Sequence, residues 1–327
     1  LINDGLMAVF FFLVGLEIKR ELTTGELRTV KKALLPIAAA AGGMLVPALL
    51  YVFFNKGTEY HAGWGIPTAT DIAFSLGVAS IIGKRFPASL KIFLTALAII
   101  DDLGAILIIA FFYGGAIKAM YLLGAAAILA LLLWAGNRRL RLGALRYLGG
   151  LLMWYFVFNS GIHATIAGVL FAFTIPDEEL PSLEMVLHNW VNFGILPLFA
   201  LANTCIMLNG AVLNQLTGSL SVGIMAGLVL GKPLGIFLAC RLLVRRKIAD
   251  LPRGVSWSQL VGAGILAGIG FTMSIFIAGL AFTRPDIGDV SKIAILVSAV
   301  ISIVLAVLWF QWAARPVPNH LRVASRR

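Results

Sequence analysis

Two cysteines, Cys205 and Cys240, are all the chain has. Each sits in an apolar run, so neither a disulfide framework nor a metal-ligand spacing is available. Charge is scarce as well: Asp, Glu, Lys and Arg make up 13% of the residues, against 60% hydrophobic ones. That usage lies far outside soluble globular domains. Period-two alternation of apolar and polar residues is missing, which excludes a membrane β-barrel. A cleavable secretory signal is missing too. So is a starting methionine: the chain opens at Leu1 and its first apolar run begins at Leu6. Further residues, including a whole span, are expected ahead of it. Acidic residues number 15 against 26 basic ones, a net charge of +11. In a soluble protein that excess would point to nucleic acid. Here the basic residues collect in alternate loops, so the charge reports topology and no nucleic-acid partner is expected.

What is there is a succession of apolar runs, many of them about 20 residues long. Helices satisfy their own backbone groups in lipid, so the chain reads as an all-α polytopic membrane protein. Eleven runs can be counted, near 4–17, 33–54, 64–82, 93–113, 120–135, 147–160, 162–175, 186–206, 219–244, 257–282 and 290–313. Lys and Arg concentrate in the loops near 19–32, 84–85, 138–146 and 241–253 and in the tail from Arg315. The opposite loops hold little beyond Lys56, Lys118, Arg284 and Lys292. The positive-inside rule makes the first set cytoplasmic, with the C-terminus inside. Trp64, Trp134, Trp257, Trp309 and Trp312 fall near span ends, as an interfacial belt requires.

The fourth run carries Asp101 and Asp102 near its middle. A charge at that depth costs about 2.5–3.5 kcal/mol on insertion scales, and adjacent carboxyls oppose each other's ionisation. Residues this expensive mark an ion or proton site by default. The third run reads Gly65-Ile-Pro-Thr-Ala-Thr-Asp71. Pro67 lacks a backbone donor, so a helix break is expected near it. Freed carbonyls, the Thr68 and Thr70 hydroxyls and the Asp71 carboxylate would form an oxygen-rich, negative spot. Asp71 equally suits the N-cap of the following half-helix. Lys232 lies deep in the run 219–244. A buried ammonium needs a carboxylate, and Asp71, Asp101 and Asp102 are the candidates. The run 257–282 holds Gly262, Gly264, Gly268 and Gly270. Glycine that dense permits an unwound middle, with close helix packing as the rival reading. The two interrupted runs are each the middle of three, within 33–113 and 219–314. Matching interruptions in two halves point to an inverted-repeat transporter with a midplane site.

Blander readings hold elsewhere. Glu17, Lys19, Arg20 and Glu21 read as a solvated, salt-bridged helix end, and Glu184 as part of an acidic loop from Pro176. His163 and His188 read as hydrogen-bonded structural residues at span edges.

Six blocks carry a resemblance that covers nearly the whole chain. They run from Asn3 to Leu22, Ile66 to Phe74, Ala98 to Ile106, Gly161 to Val169, Gly231 to Gly235 and Gly268 to Ile277. Together they resemble the NhaA-type bacterial sodium/proton antiporters. That family has twelve spans, so eleven visible runs imply one missing at the start. The resemblance implies a single transporter domain over 1–327, with two crossing discontinuous helices broken at Pro67 and at Gly268 and Gly270. Residues 1–32 and 114–218 would supply interface helices around the two three-helix units. Asp102 would exchange a proton for Na⁺ or Li⁺, beside Asp101, which pairs with Lys232 when the ion is absent. Thr70 would lie close to the metal ion, so Asp102, Asp101 and Thr70 form its ligand set. Asp71 and Lys232 would offset the half-helix dipoles, a carboxylate at N-terminal ends and an ammonium at C-terminal ends. Glu17, Arg20, Glu21, Glu184 and His188 match a cluster linked to pH activation. One departure is Met185, where the family pattern has histidine. The implied function is electrogenic, pH-regulated expulsion of Na⁺ from a bacterium across its inner membrane. No cofactor is implied beyond the transported ions, no enzymatic activity, and a homodimer in the bilayer.

Three other classes compete. A cation channel could use aspartate rings but needs oligomeric symmetry around a pore. A sodium-coupled symporter could share the architecture with a wider pocket. An intramembrane aspartyl protease needs carboxylates facing each other, whereas adjacent Asp101 and Asp102 point about 100° apart on one helix.

Overall fold

A computed structural model describes residues 2–138, 143–206 and 215–312. Arg139, Arg141 and the basic tail from Arg315, on which part of the topology reading rests, lie outside the described residues. Every regular element among the described residues is helical. Six helices are long and apolar enough to cross a membrane, or eight when each of two bent pairs counts as one span. The remaining apolar runs make shorter helices, Met7–Thr23, Ala144–Ser160 and Ile166–Phe173. Among the described residues, length and apolarity by themselves pick out six to eight of the eleven expected spans.

The described residues fall into two compact units. One draws on Leu1–Arg28 and Ile106–Cys205, the other on Thr29–Ala105 and Ile206–Arg327. In the first unit, α1 (Met7–Thr23) packs on α7 (Ile166–Phe173), and Phe12, Leu16, Met153, Ala167 and Phe171 share one apolar cluster. Helix α1 continues past Glu17, so Lys19, Arg20 and Glu21 belong to its last turns rather than to a loop. The acidic segment also ends sooner than expected. Helix α8 (Leu180–Trp190) carries Pro181 in its first turn, where the missing N–H has no partner to lose. Glu184 is thus helical and buried.

The second unit holds both interrupted spans. The first is a 3₁₀ half-helix, Glu59–Thr68, followed by extended residues and then α3 (Ile72–Ile82). The second is α12 (Trp257–Ala267), a break, and α13 (Phe271–Ala281). Each pair bends by 46°. Helix α4 (Ala88–Phe112) passes beside them unbroken. Lys232 opens α11 (Lys232–Arg245) after a π-turn over Ala226–Gly231. Pro233 cannot donate to the ladder, and the wider turn absorbs the defect, with the Lys232 N–H bonding Gly227 O. Leu35, Leu90, Leu94, Ile236, Leu260 and Leu266 fill the core between these helices. Rigid helices packed on a dry core fix the two breaks in place.

Candidate ion-binding site

The first break opens at Ala69, near Pro67 as expected. Proline's fixed φ suits the 3₁₀ turn, and Pro67 lies inside Glu59–Thr68. The chain leaves the helix two residues on, where Ala69 takes φ −84, ψ 152 and Asp71 takes φ −90, ψ 104. The second break comes at Gly268, Ile269 and Gly270, as expected, but for a different reason. Gly268 and Gly270 both keep right-handed helical dihedrals, so no positive φ calls for glycine. Close approach does. A Cβ on Gly268 would lie 2.5 Å from Leu228 O, and one on Gly270 would lie 3.2 Å from Ala69 O. The breaks meet backbone to backbone, the Asp71 N–H donating to Ile269 O at 2.7 Å.

Four helix ends converge at this crossing, and side chains answer each. Asp71 caps both N-terminal ends. Its Oδ1 accepts the Phe74 N–H at 3.1 Å, at the start of α3. Its Oδ2 accepts the Thr272 N–H at 3.1 Å and the Thr272 hydroxyl, at the start of α13. A carboxylate placed there offsets the positive ends of two half-helix dipoles. At the C-terminal ends the signs reverse. Lys232 Nζ donates to Thr68 O, the last carbonyl of the 3₁₀ half-helix. The Ala267 carbonyl, ending α12, accepts from Thr70 Oγ1 at 2.9 Å, and Leu266 O accepts from Ser75 Oγ at 2.9 Å.

Asp101 joins this set from α4. Its Oδ2 accepts from Lys232 Nζ at 2.7 Å and from Thr70 Oγ1 at 2.7 Å. Asp101 and Lys232 are both fully buried, so the ion pair is dry. Of the three carboxylates open to Lys232 on sequence grounds, Asp101 is the direct partner. Its second oxygen, Oδ1, accepts no hydrogen bond. Asp102 follows on the same helix, 1% exposed. Thr70 is shared between two acceptors but has one hydroxyl proton, so Asp101 and Ala267 O compete for it. Among the described residues no three His, Cys, Asp or Glu side chains gather as a metal site. A cation here would rely on two carboxylates, the Thr70 hydroxyl and backbone carbonyls, a set suited to hard ions.

The unit with α1 and α8 brings the other five residues together. His188 Nε2 lies 3.1 Å from Glu17 Oε1, and Arg20 bridges Glu184 at 3.0 Å and Glu21 at 3.4 Å. Glu21 also accepts the Glu26 N–H at 2.9 Å, closing the turn after α1. The picture of a solvated helix end is corrected here: Glu17 and Glu184 are buried, while Arg20 and His188 stay about 40% exposed.

Two residues of the crossing escaped the sequence reading. Thr272 and Ser75 are hydroxyls in apolar helices, where such residues commonly bond their own backbone. The available signal for Thr272 was its place just after the second break.

Comparison with known proteins identifies the family. Residues 1–310 match the family described as Na+/H+ antiporter 1. A curated protein of Cytophaga hutchinsonii named Na(+)/H(+) antiporter NhaA is 50% identical over 327 residues, covering 98% of this chain and 84% of that one. One of the same name from Dechloromonas aromatica is 53% identical over 322 residues, covering 95% and 82%. A third, from Escherichia coli O157:H7, is 51% identical over 328 residues, covering 96% and 84%. With a family match along most of its length, relatives at half identity and several apolar spans, this multi-pass membrane chain belongs to the NhaA family of Na⁺/H⁺ antiporters.

Proposed function

We propose that the protein exchanges Na⁺ or Li⁺ for protons at Asp102, with Asp101 and Thr70 completing the ion site. The observation that carries this reading is the dry Lys232–Asp101 pair at the crossing of two broken helices. A proton on Asp102 removes the negative charge that attracts Na⁺, so the site holds one or the other. Exposing that single site alternately to the two sides couples the two fluxes. Na⁺ entering the site draws Asp101 toward itself, its unbonded Oδ1 being ready to ligate. Lys232 then loses its counter-charge in a buried position and gives up a proton. More than one proton moves per Na⁺, so net positive charge flows inward. The membrane potential then helps expel Na⁺, at about 2.3 kcal/mol per charge per 100 mV.

In this reading 33–113 and 219–314 are inversely related three-helix units, a view supported by their equal 46° bends within one compact unit. Glu17, Arg20, Glu21, Glu184 and His188 regulate exchange by pH, supported by two buried carboxylates held against a histidine and an arginine. The protein sits in the bacterial inner membrane with its C-terminus in the cytoplasm, and its partners are the ions, the lipid and a second copy of the chain. Proteoliposomes carrying Asp102→Asn test the core of the proposal. ΔpH-driven Na⁺/H⁺ exchange should vanish, and its retention would overturn the assignment.

A further inference from the structure

Three serines on α14 (Pro285–Trp312) are fully buried: Ser291, Ser298 and Ser302. Two behave as serines in apolar helices do. Ser291 Oγ donates to Ile287 O at 2.8 Å, and Ser298 Oγ to Ala294 O at 2.6 Å, each four residues back. Ser302 departs from that pattern. Its Oγ makes no hydrogen bond at all. It is turned instead toward Gly268, the first residue of the second break. A Cβ on Gly268 would lie 3.2 Å from Ser302 Oγ, 3.0 Å from Ile265 O and 2.5 Å from Leu228 O. A donor and two carbonyls therefore face the space that a Cβ on Gly268 would fill, with the donor unused.

The location matters because the carbonyls closing α12 are held by hydroxyls. Leu266 O takes Ser75 and Ala267 O takes Thr70, the residue that also touches Asp101. Ile265 O accepts from the Gly268 N–H at 3.1 Å, a donor shared with Gly264 O and Leu266 O. Ser302 is the third hydroxyl at this helix end, and the one not yet engaged.

We propose that Ser302 is a positioning residue for exchange, acting through the break at Gly268. While Lys232 is paired with Asp101, the Ser302 hydroxyl has no partner. When Na⁺ displaces that pair and the crossing resettles, the hydroxyl donates to the carbonyl of Ile265 or Leu228. A hydrogen bond made in the ion-bound state alone favours that state, and so strengthens Na⁺ binding without touching the ion. The inference rests on the exchange reading above and adds a residue to it.

The test is Na⁺/H⁺ exchange by wild type, Ser302→Ala and Ser302→Thr in proteoliposomes, with Na⁺ binding by calorimetry alongside. Ser302→Ala should raise the apparent KM and the Kd for Na⁺ on the order of fivefold, the value of one net hydrogen bond. The maximal rate and the Tm should stay close to wild type. Ser302→Thr keeps the hydroxyl and should restore wild-type KM. A purely structural role would lower the maximal rate and Tm and leave KM alone. KM and Kd within twofold of wild type in Ser302→Ala would overturn the proposal. So would an equal rise in Ser302→Thr, which would assign the effect to packing. Should the alanine variant fail to insert, Ser302→Cys, a weaker donor of similar shape, carries the same expectation and the same refutation. Absence of exchange in wild type would instead refute the exchange reading itself.

Discussion

The crossing and the α1–α8 cluster both gather carboxylates and cations, yet they are built differently. At the crossing every charged group is dry, and most partners are backbone ends or threonine hydroxyls. In the cluster, long side chains meet one another, and Arg20 and His188 keep contact with solvent. Interactions between partly exposed groups are screened and individually weak. Dry pairs are costly to break, because removing one partner strands the other. The difference teaches that the same residue types serve two ends. One arrangement fixes a dry, buried geometry, and the other leaves charged groups open to the solution around it.

Substitutions can sharpen that contrast, beginning with the largest expected effect. Lys232→Met strands Asp101 in a dry core and should destabilise the protein by about 3–5 kcal/mol. A thermal melt in detergent reads this as a large fall in Tm, and Lys232→Met with Asp101→Asn should recover most of it. Thr272→Val removes the hydroxyl bonded to Asp71 while keeping the shape. A loss of about 1.5–3 kcal/mol is expected for a hydrogen bond to a charged group, again read in the melt. Gly268→Ala forces a methyl against Leu228 O and should cost about 1–3 kcal/mol. Gly279→Ala, on α13 with open space where its Cβ would go, is the control and should be neutral or slightly stabilising. Smallest is His188→Gln, expected to shift stability by about 0–1 kcal/mol, with any effect fading as salt is added. Its signature should lie in the pH profile of exchange. A fall in Tm as large as that of Lys232→Met would erase the distinction between the two regions.

The sequence made the charged residues of the crossing legible because charge is so rare in this chain. Asp101, Asp102 and Lys232 stand out in apolar runs, and Asp71 stands beside a proline. The capping role of Asp71 was half visible: the cap on α3 follows from position, whereas the cap on α13 joins residues 201 apart. The first break lies near the proline that signals it, and it opens two residues later because proline marks a lost donor and not the point where a 3₁₀ helix ends. Glu184 looks like a loop residue in sequence because its acidic neighbours mask a helix start, although Pro181 signals one. At 162–175 the apolar run is longer than its helix, Ile166–Phe173, so the run alone does not give the helix length. Ser75 and Ser302 are not legible in the sequence, because a hydroxyl in an apolar helix carries no sign of which backbone it will meet; Thr272 is signalled only by its place just after the second break.

In the exchange proposed here, Na⁺ and protons compete for one buried carboxylate site. Calorimetric titration of the protein with Na⁺ in two buffers of different ionisation enthalpy measures this directly. If each Na⁺ expels at least one proton, the observed heats will differ between the buffers and the apparent affinity will weaken as pH falls. Equal heats in both buffers across the pH range, with saturable Na⁺ binding, would contradict it.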